Sequence, residues 1–355
     1  MIVAEIIRIL GITVLSFMAA MVVVPFFYRW LLKFGIKKQI RTSETAPIFS
    51  SLHALKAGTP TMGGVLIWGT VIALAFVFMI LDALTRRPSV WSDFFTYLNF
   101  VDRAQTYLPL FAMLVAGVLG LFDDLLGILK IGSKGGGLAV RHKLLLYAVL
   151  GAIGAWWFYS PEKLDWRVIH IPFVGGFDIG IWYVPIFIFI IMASAFSANE
   201  TDGLDGLLGG VSLFIFGALM VVAFVLGRYD LAVMIGALIG SLLAFLWHNI
   251  YPAKFFMGDT GSMALGITMG VVVMLTNTVL FLPIFALPLV LESLSVIVQM
   301  ASKKIRKKKI FLSTPVHHHF EALGVPESQI TMRFWIIAFI SAALGVVLFL
   351  LDRLI

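Results

Sequence analysis

Ten mostly apolar stretches recur along the chain, each long enough to form a helix that crosses a membrane. A helix needs about 20 such residues to span the hydrocarbon core of a bilayer. The pattern therefore predicts an all-α polytopic membrane protein with ten spans, arranged as one domain over residues 1–355. The stretches are 4–32, 61–83, 107–124, 144–160, 182–198, 207–226, 231–250, 262–278, 280–301 and 332–352.

The distribution of positive charge predicts how these spans are oriented. Most of the 26 lysine and arginine residues flank the connections that contain residues 33–60, Lys143, Lys254 and Lys303–Lys309. Basic residues accumulate in cytoplasmic loops. We therefore expect these connections in the cytoplasm and both termini outside it, as an even number of spans requires. The dense run Lys303–Lys309 is typical of an anchor for anionic lipid headgroups.

One connection on the opposite side has a different pattern. Residues 161–181 alternate weakly between apolar and polar positions and contain Gly175-Gly176. Short alternating runs around a glycine-containing turn are typical of a β-hairpin. We therefore expect a small extracytoplasmic hairpin here.

The composition narrows the function classes. Of 355 residues, 61% are hydrophobic and only 13% are charged, which excludes a soluble single-domain enzyme and a disordered chain. Without cysteine there is no disulfide scaffold, no thiolate nucleophile and no cysteine-ligated metal. The net charge of +7 is better explained by basic loops facing lipid than by nucleic acid, because no groove-reading motif is present.

Acids and histidines cluster at the predicted cytoplasmic ends of five separate segments. Ionisable groups near membrane depth are costly and are therefore functional candidates. Their shared side of the membrane predicts one assembled site. The clusters are Asp123-Asp124, the group Asn199, Asp202 and Asp205, then Asp259, and finally His317-His318-His319.

Structural roles compete with functional ones for each cluster. Asp123 and Asp124 could form a solvated helix end, and the i, i+3 pair Asp202 and Asp205 could cap a helix. Asp259 could be an N-cap in the same way. The functional alternative is a ligand for a hard cation such as magnesium. The side chains of three consecutive histidines diverge and form no zinc site alone. An imidazole that contacts a substrate phosphate is the alternative role.

These groups suit phosphoryl transfer between a soluble and a lipid-borne substrate. Such catalysis depends on positioning and on stabilising spread negative charge. Glycines flank most of the clusters and permit close approach of backbone to a ligand. The chain has neither a Walker loop nor a dinucleotide fingerprint after a strand, so ordinary kinase and dinucleotide folds are not supported.

Five motifs occur in an order that resembles a known enzyme family. They are Gly58–Gly64, Asp123-Asp124, Thr201–Leu207, Phe256–Ser262 and Pro315–Glu321. Together they resemble the phospho-N-acetylmuramoyl-pentapeptide transferases, a branch of the polyprenyl-phosphate N-acetylhexosamine-1-phosphate transferases. The first motif and the histidine triplet followed by Phe-Glu are specific to the muramoyl branch.

The resemblance implies a reaction, partners and a location. The family transfers phospho-MurNAc-pentapeptide from a UDP carrier to undecaprenyl phosphate, releasing UMP and forming lipid I, with Mg²⁺. The implied partners are UDP-MurNAc-pentapeptide, undecaprenyl phosphate, membrane lipid and a second copy in a homodimer. The implied location is the bacterial cytoplasmic membrane, and the polyprenyl chain would lie in a groove beside the ninth span.

The resemblance also implies roles for individual residues. Asp123, Asp124, Asp259 and His317 match catalytic positions, with Asp259 as the magnesium ligand and Asp123 the favoured partner of the lipid phosphate. Phe256 would stack on uracil, with Asp205 in the same pocket. The residues that match substrate-binding positions are Lys56, Thr61, Asn199, Asp202, Gly203, Leu204, Asp205, Asn249, Phe256, Gly258, His318 and His319.

Three positions depart from the family pattern. Phe196 stands where the family usually has asparagine, Glu200 where it has leucine, and Gly127 where it tends to have lysine. Loss of a polar group and a cation would weaken binding of substrate phosphates. Lys130 and Lys134 are candidate replacements for the lost cation.

Two other functions remain as alternatives at this stage. One is a transferase of the same superfamily that uses another UDP-N-acetylhexosamine, against which the histidine triplet argues. The other is a transporter, but transporters place ionisable groups mid-span and are often built from inverted repeats. Here the groups lie at span ends, and no repeat is evident.

Overall fold

The computed structural model describes residues 2–36, 56, 58–85, 90–102, 105–132 and 136–355. Seven basic residues used to predict the orientation lie outside these ranges: Lys37, Lys38, Arg41, Arg86, Arg87, Arg103 and Lys134. Lys134 is also one of the two candidate replacements for the lost cation.

The described residues form helices almost throughout. The helices are α1 Ile2–Lys33, α2 Gly64–Leu84, α3 Val90–Leu98, α4 Tyr107–Ile128, α5 Val140–Tyr159, α6 Tyr183–Thr201, α7 Leu207–Val225, α8 Tyr229–Asn249, α9 Asp259–Leu275, α10 Leu282–Phe285, α11 Leu287–Ile305, α12 Val316–Ala322 and α13 Glu327–Asp352. Short 3₁₀ turns at Gly180–Trp182 and Val279–Phe281 precede α6 and α10. The all-α architecture expected from the apolar stretches is therefore confirmed.

The predicted hairpin is present between α5 and α6. Strand β1, Val168–Ile171, pairs antiparallel with β2, Gly175–Asp178, so that Val168 faces Asp178 and Ile171 faces Gly175. Phe173 in the turn has a φ of 63° and Gly175 a φ of 110°. Glycine adopts this left-handed backbone without a steric penalty, which explains its place at the start of β2.

The number of spans is only partly established. Each predicted stretch coincides with a helix, but seven helices of the described chain are long and apolar enough to cross a membrane, or eight if one bent pair counts as a span. Two helices fall short: α5 begins with Arg141, His142 and Lys143, and α9 has only 17 residues. A multi-pass membrane protein follows, while the count of ten and the side of the termini stay predictions.

A bent pair of helical segments forms the predicted stretch 280–301. Helix α9 ends at Leu275, and Asn277 takes a φ of 53°. The segments Val279–Phe285 and Leu287–Ile305 then meet at 88°. Pro288 follows the break, and proline cannot continue the hydrogen bonding of a preceding helix. The bend turns the second half of this span aside and opens space against α13.

Helices α8 and α9 form the centre of the molecule, with α1 packed along α8, and α4 and α6 packed along α9. Small residues bring these helices together, as is usual between helices in membranes. A Cβ atom on Gly120 of α4 would lie 2.6 Å from Thr260 Cα. The contact sets the end of α4, with its acidic pair, directly against the first turn of α9.

Candidate active site

A lysine links two of the predicted acids at one end of the bundle. Nζ of Lys143 lies 2.7 Å from Asp123 Oδ2 and 2.9 Å from Asp259 Oδ2. Asn199 donates to the other oxygen of Asp259, Oδ1, and to Ser262 Oγ at 3.1 Å. Four helices, α4, α5, α6 and α9, thus contribute to one polar cluster, as the shared side of the motifs predicted.

Burial distinguishes the two acids. The Asp123 side chain is 1% exposed, so a solvated helix end does not describe it. Its Oδ1 accepts a hydrogen bond from Leu138 N at 2.5 Å. Asp259 is 25% exposed at the side chain and is therefore the carboxylate of the pair that a substrate can reach.

Asp124 has a different task from its neighbour. Its carboxylate accepts from Asp259 N and from Thr260 N, both at 3.1 Å, and so caps the first turn of α9. The N-cap residue itself is Gly258, with a φ of 77°. A Cβ atom there would lie 2.5 Å from Asp124 Oδ2, so only glycine leaves room for the cap. The capping role considered for Asp259 is met by Asp124 from another helix.

A second cluster surrounds Lys56. Its Nζ lies 2.7 Å from Asp205 Oδ1 and 2.5 Å from Glu327 Oε1, and 5.8 Å from the centroid of the Phe256 ring. Glu327 Oε1 also accepts from Asp205 N at 2.7 Å. Three predicted residues, Lys56, Asp205 and Phe256, are therefore together, joined by Glu327 from the start of α13.

Two residues predicted to contact the substrate, Asn249 and Thr61, are buried within the protein. Asn249 is 5% exposed. Its side chain donates to Phe255 O and accepts from Gly206 N, both at 2.9 Å. Thr61 is 4% exposed, in a loop whose neighbours pair with the segment before α9: Gly63 N donates to Phe256 O at 2.8 Å. These contacts hold Phe256 in place.

The loop after α6 lies against the histidines. Asp202 and Gly203 follow the last turn of α6, and Gly203 N donates to Thr201 O at 2.9 Å. A Cβ atom on Gly203 would overlap the His317 imidazole. Leu204, the next residue, is 4% exposed and packs in the core. The glycine therefore permits the third motif to meet the fifth.

The three histidines point to three different partners. His317 is fully buried, with Nδ1 2.9 Å from Oε2 of the equally buried Glu292. His318 Nδ1 lies 2.6 Å from Glu321 Oε2. His319 Nδ1 accepts from Leu312 N at 3.2 Å. This divergence, expected for consecutive side chains, leaves His317 as the ring nearest the Gly203 loop.

Three polar residues of the site were absent from the sequence prediction. Lys143 entered it only as a basic loop flank, and Glu327 not at all. Glu292 lies within the apolar stretch 280–301, and a carboxylate at that depth is itself a signal of function. Lys143 stands at the acidic pair where Gly127 lacks a cation, whereas Lys130 is exposed in the turn after α4.

Within the described ranges, no group of three or more histidine, aspartate or glutamate residues could hold a metal ion. Asp123 and Asp259 nevertheless converge on a single ammonium group. This position therefore attracts positive charge. Magnesium sites in phosphoryl-transfer enzymes need only one or two carboxylates, because water and substrate phosphates supply the remaining ligands.

Comparison with known proteins agrees with this arrangement. Residues 106–277 match the model of Glycosyl transferase family 4, and residues 56–67 match phospho-N-acetylmuramoyl-pentapeptide-transferase signature 1. The first region contains the acid cluster on α4, α5, α6 and α9. The second begins at Lys56 and includes the loop that holds Phe256.

Curated relatives match over nearly the full chain. The phospho-N-acetylmuramoyl-pentapeptide-transferase of Geobacillus thermodenitrificans is 36% identical over 93% of this chain and 94% of its own length. Proteins of the same name from Borrelia garinii subsp. bavariensis and Chloroflexus aurantiacus are each 34% identical, over 94% and 95% of this chain and 92% and 88% of their own. The chain therefore belongs to the phospho-N-acetylmuramoyl-pentapeptide transferase family.

Proposed function

We propose that the protein transfers phospho-MurNAc-pentapeptide from UDP-MurNAc-pentapeptide to undecaprenyl phosphate, forming lipid I and releasing UMP. The observation that carries the proposal is the lysine shared between buried Asp123 and partly exposed Asp259 at one end of the bundle. The names of its relatives give the transferred phospho-N-acetylmuramoyl-pentapeptide group, and the UDP carrier and undecaprenyl phosphate are what the family resemblance implies. Signature 1 at residues 56–67 favours this reaction over that of a related UDP-N-acetylhexosamine transferase.

In this reaction an oxygen of the lipid phosphate attacks the sugar-bearing phosphorus, and the bond to the UMP oxygen breaks. Phosphate monoesters are largely ionised near neutral pH, so the attacking group needs little general-base assistance. We assign Asp123 to orienting Lys143, because its buried carboxylate contacts the ammonium group. The Lys143 ammonium stabilises the negative charge that spreads over the phosphoryl oxygens.

Magnesium belongs to the same proposal. Asp259 would hold it, because its carboxylate is the reachable one and already faces a cation. When bound, the ion would supply further positive charge to the diphosphate oxygens. Asn199 and Lys143 fix the orientation of the Asp259 carboxylate. Asp124 holds the first turn of α9, so the carboxylate has a rigid base.

The Lys56 cluster is proposed as the nucleoside end of the site. The Phe256 ring offers a face on which uracil stacks, and base–aromatic stacking contributes about 1–3 kcal/mol. Lys56 lies between that ring and two carboxylates, Asp205 and Glu327. Asp202, Gly203 and the His317–His319 segment then lie toward the diphosphate and sugar.

An apolar cavity suits the acceptor lipid. A space of about 320 Å³ lies between α11, α12 and α13, lined among others by Leu294, Phe320 and Phe334. It exists because α11 turns aside at the 88° bend. A polyprenyl chain lying there would present its phosphate near α12, which contains the histidines.

We propose a cellular location and a membrane topology together with the reaction. The chain is a single ten-span domain of the bacterial cytoplasmic membrane, with the acid cluster on the cytoplasmic face and both termini outside. A homodimer is proposed as well. The apolar helices support the membrane location, and the relatives described above, which come from bacteria, support the bacterial cell. The homodimer rests on the family resemblance alone.

The test is formation of lipid I by purified protein in detergent, from UDP-MurNAc-pentapeptide and undecaprenyl phosphate, with UMP release as the readout. We expect turnover that needs Mg²⁺ and stops with a chelator. The variant Asp93→Asn, on exposed α3, controls for loss of one carboxylate elsewhere. Folded protein that forms no product, but uses another UDP-sugar, would refute the proposed substrate.

A further inference from the structure

A second polar cavity lies at the opposite end of the bundle from the acid cluster. It has a volume of about 430 Å³ and lies between the hairpin and the ends of α8, α9 and α13. Helix α8 runs from Arg228 at this cavity to Asn249 at the active site, 21 residues or about 31 Å away. The cavity is therefore separate from the substrate site.

The acids that line this cavity already have partners. Asp352 Oδ2 lies 2.6 Å from His170 Nε2, and its Oδ1 accepts from Phe173 N at 2.5 Å. Asp165 forms an ion pair with Arg167 at 2.9 Å. Both carboxylates that line the cavity thus have partners within the hairpin region.

Two further arginines, Arg228 and Arg353, line the cavity. Arg228 stacks on Trp166, with 5.4 Å between its guanidinium carbon and the ring centroid. Within the described ranges, neither Arg228 nor Arg353 has a carboxylate within ion-pair distance. Burial lowers the pKa of the Arg228 guanidinium, so its charge is partly removed from water. A guanidinium remains protonated even so, and its fork of donors matches phosphate oxygens.

The walls of the cavity are partly apolar. Leu226, Leu275 and Phe349 line it beside the two arginines. The cavity also lies at the ends of α8 and α13, two helices long and apolar enough to cross a membrane, and the ends of such helices lie where lipid headgroups meet the hydrocarbon core. A free phosphate ion would use the arginines and leave the apolar walls unoccupied. A lipid would use both.

We propose that this cavity binds the phosphate headgroup of an anionic membrane lipid from the leaflet opposite the active site. Arg228 and Arg353 would contact the phosphate, Trp166 would hold Arg228 in place, and the apolar walls would receive the start of the acyl chains. The site is separate from the transfer reaction and does not depend on it.

The experiment is titration of purified protein with phosphatidylglycerol, followed by native mass spectrometry. We expect Arg228→Gln to weaken binding of one lipid about tenfold, because a charge-assisted contact is lost. The matched control is Lys163→Gln, which removes a cation that stacks on Trp157 on the same face but does not line the cavity. It should bind as the wild-type protein does.

Other outcomes would overturn the proposal. Equal affinity of wild-type and Arg228→Gln proteins, or an equal loss in Lys163→Gln, would reduce the site to general surface charge. Glycerol 3-phosphate binding as tightly as phosphatidylglycerol would assign the cavity to a soluble phosphate instead. Unchanged transferase activity shows that Arg228→Gln is folded. If it does not fold, Arg353→Gln at the exposed edge should weaken binding about threefold, and no loss there refutes the proposal.

Discussion

Two cationic side chains occupy opposite ends of the bundle, and each bridges two carboxylates. Lys143 lies between Asp123 and Asp259 at the active site. Arg8 of α1 lies 3.3 Å from Glu5 and 2.6 Å from Asp230 of α8, and its guanidinium also donates to Asn99 O at 3.0 Å. Bridging of two acids is therefore not in itself a sign of catalysis.

Exposure of the carboxylates does not distinguish the two clusters, since Asp230 is 27% exposed and Asp259 is 25% exposed. The difference lies in what else each cluster contacts. The Arg8 guanidinium also donates to Asn99 O and stacks 5.1 Å from the Tyr97 ring, so groups of the fold hold it. The Lys143 cluster instead joins Asp123 and Asp259 from two of the family motifs, and Asn199 beside a third donates to Asp259.

The largest expected effect is at Asp259. Asp259→Asn should lower the rate of UMP release about 1,000-fold or more, because it removes the charge proposed to hold magnesium and to share Lys143. The thermal midpoint, measured by light scattering, should change little. A rate within tenfold of the wild-type value would show that Asp259 is not the metal ligand.

Replacing each cation by methionine tests the comparison directly. Lys143→Met should reduce turnover about 100-fold, because the diphosphate loses a positive partner. Arg8→Met should leave turnover almost unchanged and instead cost about 3 kcal/mol of stability, since it strands Asp230 and Glu5. Activity and thermal unfolding are measured on both proteins. Full activity of Lys143→Met, or inactivity of folded Arg8→Met, would contradict the distinction.

A smaller effect is expected at the nucleoside end. Phe256→Ala should raise the Kd for UMP about tenfold through loss of stacking, with a weaker effect on the maximal rate. Calorimetric titration with UMP gives the Kd, and Phe256→Tyr, which keeps the ring face, should restore it. Unchanged UMP affinity in Phe256→Ala would remove this ring from the proposed pocket.

The smallest effect is expected at Glu292, which acts through His317. Glu292→Gln keeps the shape of the side chain and removes the charge beside Nδ1. We expect a severalfold fall in turnover, about fivefold, because a neutral amide is a weaker hydrogen-bond acceptor than the carboxylate that orients the His317 ring. Glu292→Asp, which keeps the carboxylate, should restore most of the turnover. A purely structural role would lower the thermal midpoint of Glu292→Gln and leave the turnover of the folded protein unchanged.

Local patterns of the chain predicted much of the fold. The apolar stretches were sufficient to locate every major helix, because exclusion of polar groups from lipid leaves few alternatives. The turn at Gly175 predicted the hairpin. The span count could not be predicted in the same way, because α5 begins with charged residues and α9 is only 17 residues long. Whether such a helix crosses the membrane depends on its packing against neighbouring helices as well as on its length and hydropathy.

The sequence predicted many residues of the site but not which of them contact one another. The predicted orientation of the spans placed the five motifs on one face, and the structure brings Asp123, Asn199 and Asp259 together. Which acid caps α9 and which faces the cation could not be inferred, since Asp123 and Asp124 are neighbours in sequence. The helical turn points them to different partners, one to Lys143 and the other to the first turn of α9.

The sequence by itself determined a helical membrane protein, the motifs that identify its family and the face on which they gather. These depend on short-range patterns and on the insolubility of polar groups in lipid. Only the tertiary structure decided the partners: Lys143 at the acidic pair, Glu327 at Lys56, Glu292 at His317 and the second polar cavity around Arg228. Each joins residues far apart in the chain, and such contacts depend on how the helices pack.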